Sequence, residues 1–332
     1  MLKLNPIFTE NAILQANKPV RIFGEGSGNV TVTLGTDTVK AASSNGKWLA
    51  ELPPHPYNDV CTLTVSDSTD TVTFKNITFG DVYLLSGQSN MQFKLFEAIP
   101  DGEIVENPDV RLFSTQRMEE NEHFKPEDGW VSCNMDTAPN FSAIGYFLAR
   151  VLYNASPRPI GLVSLYQGAS VIQSWLSASS LSELDSILPS DGLHWDHHNP
   201  EYSKWNGSST LHDFAFSQIV PFSFAAVIWY QGESNASENE SKIYDILLKK
   251  LVNSWRSELL DDTLPFIIIQ IADYVHRSDD IWRRIQTMQE KAAGELPYTY
   301  LVRCADICET DNIHPPTKHL LVKRVTDALK SI

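Results

Sequence analysis

Ser89 stands in Leu85-Ser86-Gly87-Gln88-Ser89-Asn90-Met91, just past an apolar run of strand length, with a glycine two residues before it to permit a tight turn. A serine so placed is aimed out of a sheet edge. Its hydroxyl is a weak nucleophile without a base, so the segment calls for a histidine elsewhere. One is offered near the C-terminus, in Asp311-Asn312-Ile313-His314-Pro315-Pro316. An Asp three residues before a His can accept the Nδ1 proton, leaving Nε2 free to take the proton of a serine. The two prolines stiffen the loop before a final helix. Each segment alone also reads as ordinary structure: G-x-S-N as a strand-to-helix turn with a capping serine, D-x-x-H as a polar surface loop. Taken together, they predict acyl transfer by Ser89, His314 and Asp311.

Acyl transfer builds negative charge on a carbonyl oxygen, and donors aimed at that oxygen usually supply the largest catalytic term. Two further segments end apolar runs: Tyr166-Gln167-Gly168-Ala169-Ser170 and Tyr230-Gln231-Gly232-Glu233-Ser234-Asn235. The N–H groups of Ser89 and Gly168 and the side-chain amide of Gln231 are the expected oxyanion donors. Gln88 and Asn90, flanking the serine, are expected to face substrate. Glu233 would either orient the Gln231 loop or bind sugar hydroxyls.

These segments need a scaffold that brings strand ends together. After residue 78, near-continuous apolar runs at Asp81–Leu85, Ile160–Leu165, Ala225–Tyr230, Pro265–Ile271 and Tyr298–Val302 read as strands covered on both faces. Helical patterns at Ser142–Tyr153, Lys242–Leu259, Asp280–Gly294 and Pro316–Lys330 lie among and after them. Alternating β and α predicts a parallel sheet with right-handed crossovers, whose working residues gather at the carboxyl ends of the strands. Residues 1–77 differ. Short β-type runs at Lys18–Phe23, Asn29–Leu34, Lys47–Leu52, Cys61–Val65 and Thr71–Phe74, separated by turn residues, predict a small antiparallel sandwich without a site of its own. The expected organisation is therefore an accessory β-domain over 1–77 and an α/β catalytic domain over 78–332.

GDVYLLSGQSNM at 80–91, WYQGESNA at 229–236 and IHPPTK at 313–318 resemble the sialate O-acetylesterase group of the SGNH hydrolases, as does the opening Ile13-Leu14-Gln15 with Lys18-Pro19-Val20. The resemblance spans nearly the whole chain. It implies a flavodoxin-like three-layer α/β/α fold, a metal-free serine mechanism without cofactor, and an O-acetylated sugar as substrate, 9-O-acetylated sialic acid foremost. Ser89 matches the family nucleophile, His314 the base, and Gly168 and Gln231 the second and third oxyanion donors. Gln231 replaces the usual asparagine. The family often carries Gly-Gly in the second block, where this chain has Gly168-Ala169. Acidic residues upstream, matching Asp306 and Glu309, compete with Asp311 as partner of the base, as does a backbone carbonyl. The same chemistry on acetylated xylan is one alternative; a carbohydrate-binding protein with a vestigial site is another.

The chain of 332 residues carries a net charge of −15, with 42% hydrophobic and 20% charged residues. That excludes the basic stripe of a nucleic-acid surface and disfavours an anionic membrane. No apolar run is long enough to cross a bilayer, and the first residues lack a signal-peptide core, so the expectation is a soluble cytoplasmic chain unless a leader preceded it. Four cysteines, Cys61, Cys133, Cys304 and Cys308, read as packing residues in a reducing compartment. The long insertion over 177–213 reads as a substrate-facing loop. Its His194, Asp196, His197, His198 and His212 read first as a solvated loop, with substrate contact as the next reading and metal binding as the last. Trp175 and Trp229 could stack on sugars or fill the core. Arg303 could pair with a sialic carboxylate or with Asp306.

Overall fold

The structure is a computed structural model describing residues 2–118, 125–188, 200–277 and 280–332. The first 77 residues form strands: β1 (Lys3–Leu4), β2 (Ile13–Gln15), β3 (Val20–Glu25), β4 (Asn29–Leu34), β5 (Asp37–Ala42), β6 (Lys47–Leu52), β7 (Val60–Ser66) and the start of β8 (Thr71–Gly87). β1, β3 and β6 make one antiparallel sheet; β5, β4 and β7 pair antiparallel in turn, and β7 joins β8.

β8 is the axis of the molecule. Up to Asn76 its residues are exposed or half-buried; from Ile77 to Gly87 every residue is buried. The first stretch faces water on one side, and the second is covered on both. The compositional change near residue 78 thus falls inside one continuous strand, not in a linker.

Beyond β8 come β9 (Asn107–Ser114), β10 (Val131–Cys133), β11 (Ile160–Tyr166), β12 (Ala226–Tyr230), β13 (Phe266–Ile269) and β14 (Thr299–Val302), in the order β10-β9-β11-β8-β12-β13-β14. All neighbours are parallel except β10 and β9. The five predicted strands are present as the core of this mixed α/β sheet. β9 and β10 were not anticipated: they extend the sheet beyond β11, with β10 as the edge strand, and β9 opens with exposed and half-buried residues rather than an apolar run.

The helices are α1 (Ser89–Gln92), α2 (Ala143–Ala155), α3 (Ala178–Ser182), α4 (Thr210–Phe214), α5 (Tyr244–Glu258), α6 (Asp280–Glu295) and α7 (Lys318–Lys330). α2, α5, α6 and α7 fall on the predicted helical patterns; α5, α6 and α7 each bury one apolar face, and α2 is buried on every side over Ala143–Ala149. Arg21 and Lys18 fasten the β-rich region to the larger sheet through the carbonyl oxygens of Leu259, Leu260 and Phe224 and the carboxylate of Asp261.

Candidate active site

The carboxyl end of β8 carries Ser89 into the first position of α1. Gly87 makes the exit possible: its φ is 129°, and a Cβ there would lie 2.1 Å from the Tyr230 carbonyl oxygen of β12. Only glycine meets both demands. On either side of Gly87 stand Tyr166 of β11 and Tyr230 of β12, in register. Gly168 and Gln231–Gly232 therefore leave the sheet beside Ser89.

His314 comes from the loop between β14 and α7, and its Nε2 lies 2.8 Å from Ser89 Oγ. Two side chains 225 residues apart in sequence are thereby within hydrogen-bond reach. Asn90 joins their supporting segments. Its Nδ2 donates to Glu233 Oε1 at 2.7 Å and to the Ile313 carbonyl at 2.9 Å, while its Oδ1 accepts from Lys318 Nζ at 2.6 Å. The N–H groups of Ser89 and Gly168 donate to no protein acceptor among the described residues, and so remain open to a developing oxyanion.

The family described as "Carbohydrate esterase, sialic acid-specific acetylesterase" matches residues 79–328. The chain belongs to this family. It is 26% identical over 350 residues to the sialate O-acetylesterases of Pongo abelii and Homo sapiens, an alignment covering 91% of the chain but 65% of each relative. It superimposes with a TM-score of 0.84 on a carbohydrate acetylesterase from Xanthomonas citri at 26% identity, covering 99% of this chain and 74% of that one.

Within this scaffold several expected residues stand elsewhere than the sequence suggested. Gln231 is fully buried, and its amide nitrogen donates to the Ser170 carbonyl at 3.0 Å and to Asn235 Oδ1 at 2.7 Å, while Tyr244 Oη donates to its Oε1 at 2.7 Å. Both N–H donors are spent inside the protein, so the amide is not available to an oxyanion. Gln88 is likewise buried and holds the β12 loop through Ser234 Oγ and the N–H groups of Gly232 and Ser234. Asn90 and Glu233 face each other, not the solvent. Trp175 is 1% exposed, donates from Nε1 to Ser170 Oγ, and packs edge-on against Trp229 and Trp255. It is core, as is Trp229. Arg303 sits on the terminal strand's exit with its guanidinium on Glu290 of α6, away from the serine's strand.

Asp311 is exposed and makes no hydrogen bond to His314 among the described residues. The competing acids are occupied: Asp306 takes both oxygens to Arg324 at 2.6 Å, which holds its carboxyl down at about 2, and Glu309 accepts from Thr317. The carboxylate whose charge raises the basicity of His314 is Glu97, on the turn after α1. Burial and the nearby Lys318 ammonium outweigh it, and the imidazole's pKa lies below its ordinary value.

His212 bridges Asp213 at 2.7 Å and Glu258 at 2.9 Å, tying α4 to α5; it is a structural histidine. His194, Asp196, His197 and His198 lie outside the described residues. Ala169 has φ 52°, the left-handed region, which accounts for the glycine often found there in the family. Sequence reasoning missed Lys318 altogether, although it closes the IHPPTK segment. The signal was there: a lysine at the first position of a helix, where the macrodipole disfavours a cation.

Proposed function

We propose that this chain is a serine esterase that removes acetyl groups from O-acetylated carbohydrates, and that 9-O-acetylated sialic acid is its substrate. The observation that carries the reading is the 2.8 Å approach of His314 Nε2 to Ser89 Oγ at the carboxyl edge of the sheet. The strand order β11-β8-β12-β13-β14, with the serine just past the carboxyl end of β8, supports assigning the larger layer to the flavodoxin-like SGNH hydrolases. The names of the sialate O-acetylesterase relatives support the sugar.

The reaction runs in two steps. With its pKa depressed, His314 is neutral near pH 7 and takes the Ser89 proton on Nε2 as Oγ attacks the acetyl carbonyl. The N–H groups of Ser89 and Gly168 hold the resulting oxyanion. His314 then returns the proton to the departing sugar oxygen, leaving acetyl-Ser89. A water, deprotonated by the same nitrogen, releases acetate and restores the serine.

The test is hydrolysis of 4-nitrophenyl acetate by the wild type and by Ser89→Ala, followed by acetate release from 9-O-acetylated sialic acid and from acetylated xylo-oligosaccharides. Turnover that survives Ser89→Ala would remove the serine from the mechanism. An inert wild type would leave a binding protein. Preference for the xylo-oligosaccharide would replace the sugar but keep the chemistry.

A further inference from the structure

We infer that the buried ammonium of Lys318 is the positioning group of this site, fixing Asn90 between the serine turn and the histidine loop and placing a positive charge near His314. The inference rests on the esterase reading above.

Lys318 is 2% exposed, and no carboxylate lies within ion-pair distance of its Nζ among the described residues. Its neighbours are Asn90 Oδ1 at 2.6 Å and the faces of Phe93 and Tyr230, with ring centroids 4.9 and 5.4 Å away. Burying an ammonium without a direct counter-ion is costly, and a hydrophobic residue of similar length would ordinarily be preferred for packing. Its place at the first residue of α7 adds a second penalty, because the amino end of a helix repels cations. Two unfavourable placements of one charge are retained where the charge itself has a task.

That task is legible in the connections. Lys318 donates to Asn90, and Asn90 donates to Ile313, so the cation is coupled to the residue after Ser89 and to the residue before His314. The groups acting on Lys318 are Cys308 and Cys304 from the loop after β14, Glu233 from the loop after β12, and Glu309. Phe93 neighbours both groups, its ring centroid 4.9 Å from Lys318 Nζ and 6.3 Å from that of His314, and Glu97, from the turn after α1, acts on His314 in the opposite sense to Lys318. Burial brings the ammonium down to about 8, which leaves it largely charged at neutral pH.

The experiment compares Lys318→Met, Lys318→Gln and Lys318→Arg with the wild type, recording kcat/KM for 4-nitrophenyl acetate against pH and thermal unfolding in parallel. Lys318→Met loses about 10–10² in kcat through misplacement of the pair, and its acid limb moves to higher pH because the imidazole is relieved of a like charge. Lys318→Gln, which still donates to Asn90, recovers part of kcat but keeps the displaced limb. Lys318→Arg restores the limb. A folded Lys318→Met or Lys318→Gln with the wild-type limb overturns the inference. Should neither variant fold, the His314 ring resonances of Cys308→Ser, followed by NMR, carry the test: with the neighbouring thiol removed, a second inflection near pH 8 marks Lys318 losing its proton, and its absence overturns the inference. The same titration decides the matter if the wild type hydrolyses no ester, so the two readings fail separately.

Discussion

Asn90 Nδ2 donates to the main-chain oxygen of Ile313 at 2.9 Å, so the residue following Ser89 grips the residue preceding His314. One buried side chain thereby sets the spacing of nucleophile and base from both sides. Asn90→Ala leaves the Ile313 carbonyl, Glu233 and Lys318 without their partner, and an orphaned buried polar group costs about 1–3 kcal/mol. The expected outcome is a lower unfolding midpoint together with a fall in kcat, seen by calorimetry and steady-state kinetics on one preparation. Unchanged stability and rate would mean the bridge does nothing.

The exposed carboxylate of Asp311 makes no hydrogen bond to His314. In a triad that depends on its acid, replacing the Asp by Asn costs about 10⁴ in kcat. Here Asp311→Asn is expected to retain kcat to within about tenfold, far short of that loss. A fall approaching the triad figure would show that Asp311 closes on His314 during turnover and would reinstate it as the third member.

The scaffold was readable because its signals are local. Five apolar runs and four amphipathic helices follow directly from side-chain periodicity, and Ser89 and His314 stand out as types that chemistry requires at strand ends. What was not readable depends on direction. Gln231, Gln88 and Trp175 occupy the expected loops and strand ends, but whether a side chain on such a segment turns toward substrate or back into the core is set by neighbours distant in sequence: Ser170 and Tyr244 for Gln231, Ser234 for Gln88, Trp255 for Trp175. β9 escaped notice because Asn107, Pro108 and Asp109 open it at exposed and half-buried positions, so no continuous apolar run marks it.

Gln231 distinguishes a donor to the oxyanion from a strut. Removing an oxyanion donor lowers kcat by about 10²–10³ with the fold intact. Gln231→Ala instead strips partners from Tyr244, Asn235 and the Ser170 carbonyl, all inside the core. Loss of thermal stability on the scale of a broken buried network is expected, with any change in kcat following from it. A variant as stable as the wild type but slowed a hundredfold would return Gln231 to the oxyanion.

The pH profile follows from the environment of His314. Burial lowers its pKa first, the Lys318 charge adds to that, and Glu97 opposes both. The base works only when unprotonated, so the acid limb of kcat/KM falls below the ordinary histidine value of about 6.5, and rate is lost as pH drops through that limb. Measurement of kcat/KM between pH 4 and 8 checks this; an inflection above 6.5 contradicts it.

The last prediction concerns the turn that delivers the nucleophile. Gly87 combines φ 129° with a neighbouring carbonyl: a Cβ would stand 2.1 Å from Tyr230 O and 2.6 Å from Tyr230 C, and both obstacles are backbone of an adjacent, paired strand. Neither a rotamer change nor a small side-chain shift can relieve such a contact. Gly87→Ala must therefore push β8 away from β12 at the point where Gln88 N donates to Tyr230 O at 2.9 Å. The expected result is a loss of several kcal/mol, in the range reserved for strained special backbone positions, with little folded protein recovered. Gly294, where a Cβ meets nothing within 4 Å, provides the control. Gly294→Ala, inside α6, is expected to gain about 0.5–1 kcal/mol from helix propensity. Should chemical denaturation give Gly87→Ala a midpoint near that of Gly294→Ala, the strand-end geometry assigned to Ser89 is wrong.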